Sequence, residues 1–197
     1  MIKFIKGASI KDASSLYEGY RKSRKYTYAV LNVDNIIKVM KSFIKYYENH
    51  NCFIFIEVPC NLDEEKEYGD DKNLHIKVYY LDNIWADEAL KLLELFEEIL
   101  VNDGFVNFGV GNHEGEIGKY RYNTIGLYTE NENLIEHIFD MNGIRENKTL
   151  ITPEELINEN NPGEITRYED AKGRTIYDVI ETLTEVGLYL DKIKVED

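Results

Sequence analysis

The chain is poor in the residues that announce export or covalent chemistry. It holds 2 cysteines, 3 prolines and 1 tryptophan in 197 residues. Cys52 and Cys60 bracket the apolar run Phe53–Pro59. At about 3.3 Å per strand residue they stand about 26 Å apart, against the Cα separation of about 7 Å that a disulfide tolerates. A bridge between them is excluded along one strand, which leaves two buried thiols in a reducing compartment. No apolar run reaches the roughly 20 residues of a membrane helix. The opening Met1-Ile-Lys-Phe-Ile-Lys-Gly7 is too short and too interrupted for a signal peptide. A cytoplasmic protein is the resulting expectation.

Positive charge is also scarce. Lys and Arg number 23 against 37 Asp and Glu, a net charge of −14. Residues 1–50 carry 10 basic against 4 acidic side chains, and residues 51–197 carry 13 against 33. An acidic body of net −20 repels nucleic acid and anionic membrane and attracts a basic protein partner. Acidity kept for solubility alone is the plainer alternative.

Catalytic motifs are missing as well. There is no Gly-x-Ser-x-Gly elbow, and Ser9, Ser14, Ser15, Ser23 and Ser42 all fall in the basic first quarter. Cys52 and Cys60 lie in or beside an apolar strand, a setting that raises a thiol's pKa. No catalytic residue and no cofactor is expected. Gly109–Gly118 is glycine-rich, but a strand follows where a phosphate loop needs a helix, and Glu114 and Glu116 would repel phosphate. His113, Glu114 and Glu116 are types that suit a divalent metal, which keeps a metal-dependent hydrolase as a distant alternative. Asp63–Asp71 lacks the alternating ligands and closing glutamate of a twelve-residue calcium loop.

What is present describes a packed domain. An apolar fraction of 43% with 15 Tyr and 8 Phe excludes wholesale disorder. A chain of this length buries roughly 70% of its unfolded surface without a staple. The centre is Gly104–Asn131. Two aromatic and β-branched runs, Phe105–Val110 and Tyr120–Tyr128, flank glycines, and this predicts an antiparallel hairpin with a flexible tip.

Around it the pattern predicts a strand at Met1–Lys6, a helix capped by Asp12 and running to about Arg24, and a strand at Tyr26–Leu31. A helix from Asp34 to about Tyr47 follows, then a covered strand at Cys52–Val58, an acidic loop at Asn61–Asn73 and a return strand at Leu74–Leu81. Helices follow at Ile84–Val101, with Gly104 closing it in a left-handed conformation, and at Glu132–Asn142. Thr152-Pro-Glu-Glu155 is a capping box. A strand at Glu164–Tyr168, a helix at Thr175–Tyr189 and a frayed tail complete the chain. Hairpins alternating with helices point to one α+β domain over 1–197, an antiparallel sheet of about five to seven strands with helices packed on it.

Two resemblances follow from these segments. Ile5-Lys-Gly-Ala-Ser-Ile-Lys-Asp-Ala-Ser-Ser-Leu-Tyr17 resembles the opening strand and helix of the GNAT-type N-acetyltransferases, and Ile125–Asn133 with Met141-Asn-Gly-Ile144 resembles their late strand and helix. That likeness implies an acyl-CoA-dependent enzyme, although the family's Gln/Arg-x-x-Gly-x-Gly/Ala cofactor loop has no counterpart here. In size, acidity and α+β character the whole chain resembles immunity proteins of bacterial toxin systems and phage-encoded inhibitors. That likeness implies a non-enzymatic protein that binds and occludes a basic protein partner, a toxin or a defence nuclease. The candidate contact residues lie in two acidic and aromatic segments: Glu64, Glu65, Glu67, Tyr68, Asp70 and Asp71, and His113, Glu114, Glu116, Tyr120 and Tyr122. If strand-linking loops and hairpin tips gather at one edge of the sheet, the two segments form one patch. Carboxylates would steer the partner and aromatic rings anchor it.

Overall fold

A computed structural model describes residues 2–24, 26–68 and 74–195. Ten strands and six α-helices form among them, in an α+β arrangement. Eight strands build one antiparallel sheet, more than the five to seven expected, and two form a small separate pair. Across the large sheet the order is β10 (Tyr189–Val195), β5 (His75–Trp85), β4 (Asn51–Pro59), β6 (Asn107–Asn112), β7 (Gly115–Lys119), β8 (Thr124–Thr129), β3 (Tyr26–Val30) and β2 (Gly19–Ser23). The small pair joins β1 (Ala8–Ile10) to β9 (Gly163–Ile165).

The surplus strands come from stretches with a different local reading. Gly19–Ser23 lies in the expected Asp12–Arg24 helix, yet it pairs along its length with β3. Tyr20, 3% exposed, stacks on Phe139 with ring centroids 4.5 Å apart. Burial of that ring outweighs the local helical pattern. The glycine-rich tip is itself β7, because the turn from β6 needs only His113 and Glu114, and Gly115 pairs back to Asn112. The expected hairpin is therefore a three-stranded meander. The tail, expected to fray, covers the edge of β5 as β10. The first strand falls at Ala8–Ile10 rather than Met1–Lys6, and residues 61–73, read as a loop, include the helix α2 (Leu62–Tyr68).

Four helices lie side by side on one face: α6 (Ile176–Thr184) against α3 (Ala86–Asn102), α3 against α1 (Val33–Tyr46), and α1 against α4 (Glu132–Met141). Each presents an apolar stripe at helical spacing, such as Ile36, Met40, Phe43 and Ile44 on α1. These meet Ile54, Ile56, Val58, Phe108, Val110, Ile117, Ile125 and Leu127 from alternate strand positions. Asn32 rather than Asp34 occupies the N-cap of α1. Gly104 does not hold a left-handed conformation. It is glycine because the main chain of Gly7 crosses it: a Cβ there would collide with the Gly7 carbonyl oxygen. The crossing is tied by Gly7 N–H to Asn102 O at 2.9 Å and Gly104 N–H to Thr166 O at 3.0 Å. No helix among the described residues is long and apolar enough to cross a membrane.

A smaller core of Ile2, Ile10, Leu16, Val30 and Leu150 closes one corner, with Tyr122, Leu156 and Ile157 packed against it. It seats the short helix α5 (Pro153–Leu156) beside the uncovered face of the sheet.

Candidate functional site

Among the described residues no helix row lies on the face of the sheet away from α1, α3, α4 and α6, and the residues of that face follow from register. One line across the strands runs Tyr28, Gly126, Gly118, Gly109, Phe55, Tyr80. The next runs Tyr26, Tyr128, Glu116, Gly111, Phe53. The glycines cluster in the middle of these lines because the rings of Phe55, Phe53 and Tyr120 lie over them, where side chains would otherwise stand. A Cβ at Gly109 would strike the Phe55 ring, and one at Gly126 would come within 2.9 Å of Tyr120 Cε2. Adding side chains to these glycines would displace the rings.

Tyr120 is aimed back over the sheet by a tight turn at Arg121–Asn123. Tyr122 and Asn123 take left-handed φ of 51° and 68°, which costs on the order of 1–3 kcal/mol each for a residue with a side chain. Asn123 offsets this. Its Oδ1 accepts from Ile5 N–H at 2.9 Å, and its Nδ2 donates to Lys3 O at 3.0 Å and Leu31 O at 2.8 Å. Each such bond contributes on the order of 1 kcal/mol.

These elements enclose a cleft of about 590 Å³. Tyr26, Tyr28, Tyr120 and Tyr128 form its aromatic walls, and Glu116, Glu154, Glu155 and Arg21 its polar ones. Arg21 is already matched, donating to Glu155 Oε1 at 2.9 Å and Leu150 O at 2.8 Å. Glu155 is held below the usual carboxylate range, first by the Thr152 N–H at 2.8 Å and then by Arg21. Glu116 and Glu154 differ. Among the described residues no lysine or arginine pairs with either. Burial pushes the half-buried Glu116 carboxyl up, and Glu57 adds repulsion. Glu154 opens to solvent on the rim, but the crowding of its carboxyl by the wall raises it too, against a hydrogen bond from Thr124 Oγ1 at 3.2 Å. Burial and the nearby Glu116 and Glu57 hold the Tyr120 phenol well above its ordinary range, so it stays neutral.

Tyr120 and Glu154 also border a smaller hollow of about 280 Å³, with Glu57 and Arg121. Glu116 and Tyr128 border a further hollow of about 660 Å³ with His113, Glu114 and Glu130. The arrangement is an acidic, tyrosine-walled trough with two carboxyls that no described lysine or arginine neutralises. Its chemistry suits an organic cation, held by carboxylates and by the faces of aromatic rings.

The two expected contact segments separate. Glu116 and Tyr120 line the cleft, with His113 and Glu114 at the adjoining β6–β7 turn. Glu114 Oε1 lies 3.6 Å from both His50 Nε2 and His113 Nε2. Tyr122 packs behind the cleft on the smaller core. Glu64, Glu65, Glu67 and Tyr68 lie on α2, which follows the far end of β4, whereas the β6–β7 turn adjoins its near end. About six strand residues, roughly 20 Å, separate those ends. The expected single patch does not form. Glu64 pairs with Lys77 and Glu65 with His75, so both are engaged within their own corner. Asp70 and Asp71 lie outside the described residues. Among the described residues no group of three or more His, Cys, Asp or Glu side chains is arranged to hold a metal ion. Residues 5–17 form no helix, unlike the acetyltransferase opening they resemble.

Sequence reasoning missed Tyr26, Tyr28, Tyr128 and Glu154. The tyrosines carried a signal: Tyr26 and Tyr28 alternate on a predicted strand, and Tyr128 ends another. Glu154 sat inside a capping box with nothing to distinguish it. Comparison with family models, with curated proteins and with solved structures returns no match to this chain.

Proposed function

We propose that this protein is a non-enzymatic acidic inhibitor, of the kind found in toxin immunity, that binds and occludes a basic protein partner. One observation carries the reading: among the described residues, the tyrosine-walled cleft holds Glu116 and Glu154 with no lysine or arginine paired to either, on a sheet face that no helix row covers. A basic side chain from a partner supplies the missing charge and covers the rings. The net charge of −14 steers such a partner and speeds its encounter. The contact surface is thus re-centred from α2 to the open face, with His113 and Glu114 on its margin.

Affinity capture from the native host, with the retained protein identified, tests this. A basic protein is expected to be retained at about 0.15 M salt and lost on reversing Glu116 and Glu154 to Lys, while reversal of Glu64 and Glu67 leaves it bound. Retention that ignores the cleft reversals, or that fails to weaken with salt, refutes the reading.

A further inference from the structure

Resting on the reading above, we infer that the cleft is a receptor for an arginine side chain of the partner, and discriminates against lysine. The geometry of the walls carries this. Tyr26 and Tyr28 stand two residues apart on one strand, with rings nearly parallel at 21° and centroids 6.4 Å apart. That centroid distance is an upper bound on the gap between the planes, and a flat group in contact with both rings needs about 7 Å, so the exposed Tyr26 ring swings outward to admit one. Tyr128 closes a third side, its centroid 5.1 Å from that of Tyr26 at 48°. A guanidinium is planar and stacks on such faces; an ammonium is a compact, strongly hydrated tetrahedron that gains nothing from parallel plates.

The number of acceptors points the same way. Glu116 reaches the cleft from β7 and Glu154 from α5, two carboxyls from different elements of its lining. The five N–H groups of a guanidinium fork can engage two carboxylates while the plane stays stacked. The same lining already shows this chemistry once. Arg21 is satisfied there by one carboxylate, Glu155, and one carbonyl, Leu150. Because Glu155 neutralises Arg21, a second guanidinium meets the net charge of Glu116 and Glu154 rather than repulsion.

Calorimetric titration of the intact protein with two blocked peptides, (Gly-Arg)4 and (Gly-Lys)4, tests the inference at about 0.15 M salt. The arginine peptide is expected to bind at least about 10-fold more tightly. Tyr28→Leu should bring the two within about 2-fold of each other, and the amide resonances of Gly118 and Gly126 should shift on arginine-peptide binding in the unaltered protein. If the peptides bind equally, and Glu116→Gln with Glu154→Gln weakens both, the arginine preference is overturned and the basic-partner reading stands. If neither peptide binds at millimolar concentration, or binding ignores the two glutamine variants, both are overturned. Glutamine preserves side-chain shape, and the circular dichroism of each variant separates a lost contact from a lost fold.

Discussion

Lys119 offers the sharpest test of the energetics. It lies on the helix side of β7, is 0% exposed, and is far from any role in the cleft. Its Nζ donates to Asp103 O and Val106 O, both at 2.9 Å, where it closes off carbonyls just past the end of α3. Burial pushes its ammonium down from 10.5 to about 7, against the attraction of the Asp103 carboxylate. The folded chain therefore releases a proton near pH 7 that the unfolded chain keeps until about pH 10.4. Between those limits the unfolded state binds more protons, so stability rises with pH, and it is lost as pH falls toward 7. From about pH 7.5 to 9.5, two units at about 1.4 kcal/mol each give about 2–3 kcal/mol. With a urea slope of about 2 kcal/mol/M for a chain of this size, the midpoint moves by about 1–1.5 M. Cys52 and Cys60, whose thiols burial raises, oppose this above about pH 9, because the folded state then holds protons that the unfolded state releases. Lys119→Met keeps the stem and both cysteines, so the wild-type profile minus the variant's isolates the lysine. Urea midpoints measured across this range for both proteins decide the matter. Parallel profiles would refute the claim that Lys119 is buried neutral.

Asn123→Ala strips Ile5 N–H, Lys3 O and Leu31 O of their partner and should lower unfolding free energy by about 2–5 kcal/mol, read as a fall in the urea midpoint without a change in slope. Gly104→Ala drives a methyl into the main chain of Gly7, which cannot yield as a side chain would. A loss of about 3 kcal/mol or more should appear as a lowered melting temperature, whereas wild-type stability would refute the crossing. Gly126→Ala meets only the edge of Tyr120, so about 1 kcal/mol and a clear loss of peptide binding are expected. Cys52 and Cys60, both buried, should react with a thiol reagent slowly in native protein and at once in denaturant; rapid native labelling of both would contradict their burial.

Periodicity alone was enough for α1, α3 and α4, because an apolar stripe at helical spacing requires a covering surface whatever that surface is. The apolar run of β4 likewise marked a central strand, although helices cover only its face of Ile54, Ile56 and Val58, and Phe53 and Phe55 lie on the open one; the capping box at Thr152, a local hydrogen-bond exchange, was legible too. Composition and charge were equally direct: no staple, no long apolar span, an acidic body. Local pattern failed where a partner distant in sequence decides. Gly19–Ser23 is a strand because β3 and Phe139 receive Tyr20, and Tyr189–Val195 because β5 has an open edge. Gly104 is a glycine because of Gly7, 97 residues earlier. The candidate site belongs to this second class. Its rings and carboxyls come from β3, β7, the turn after β7, β8 and α5, and only register across the sheet lays Tyr26, Tyr128 and Glu116 in one line. α2 and the β6–β7 turn look alike as sequence, both acidic with tyrosine near, but antiparallel pairing of β4 with β6 sends them to opposite ends of the strands. Composition reports how much charge a chain carries; topology decides which carboxylates face one another, and which are left without a counter-ion.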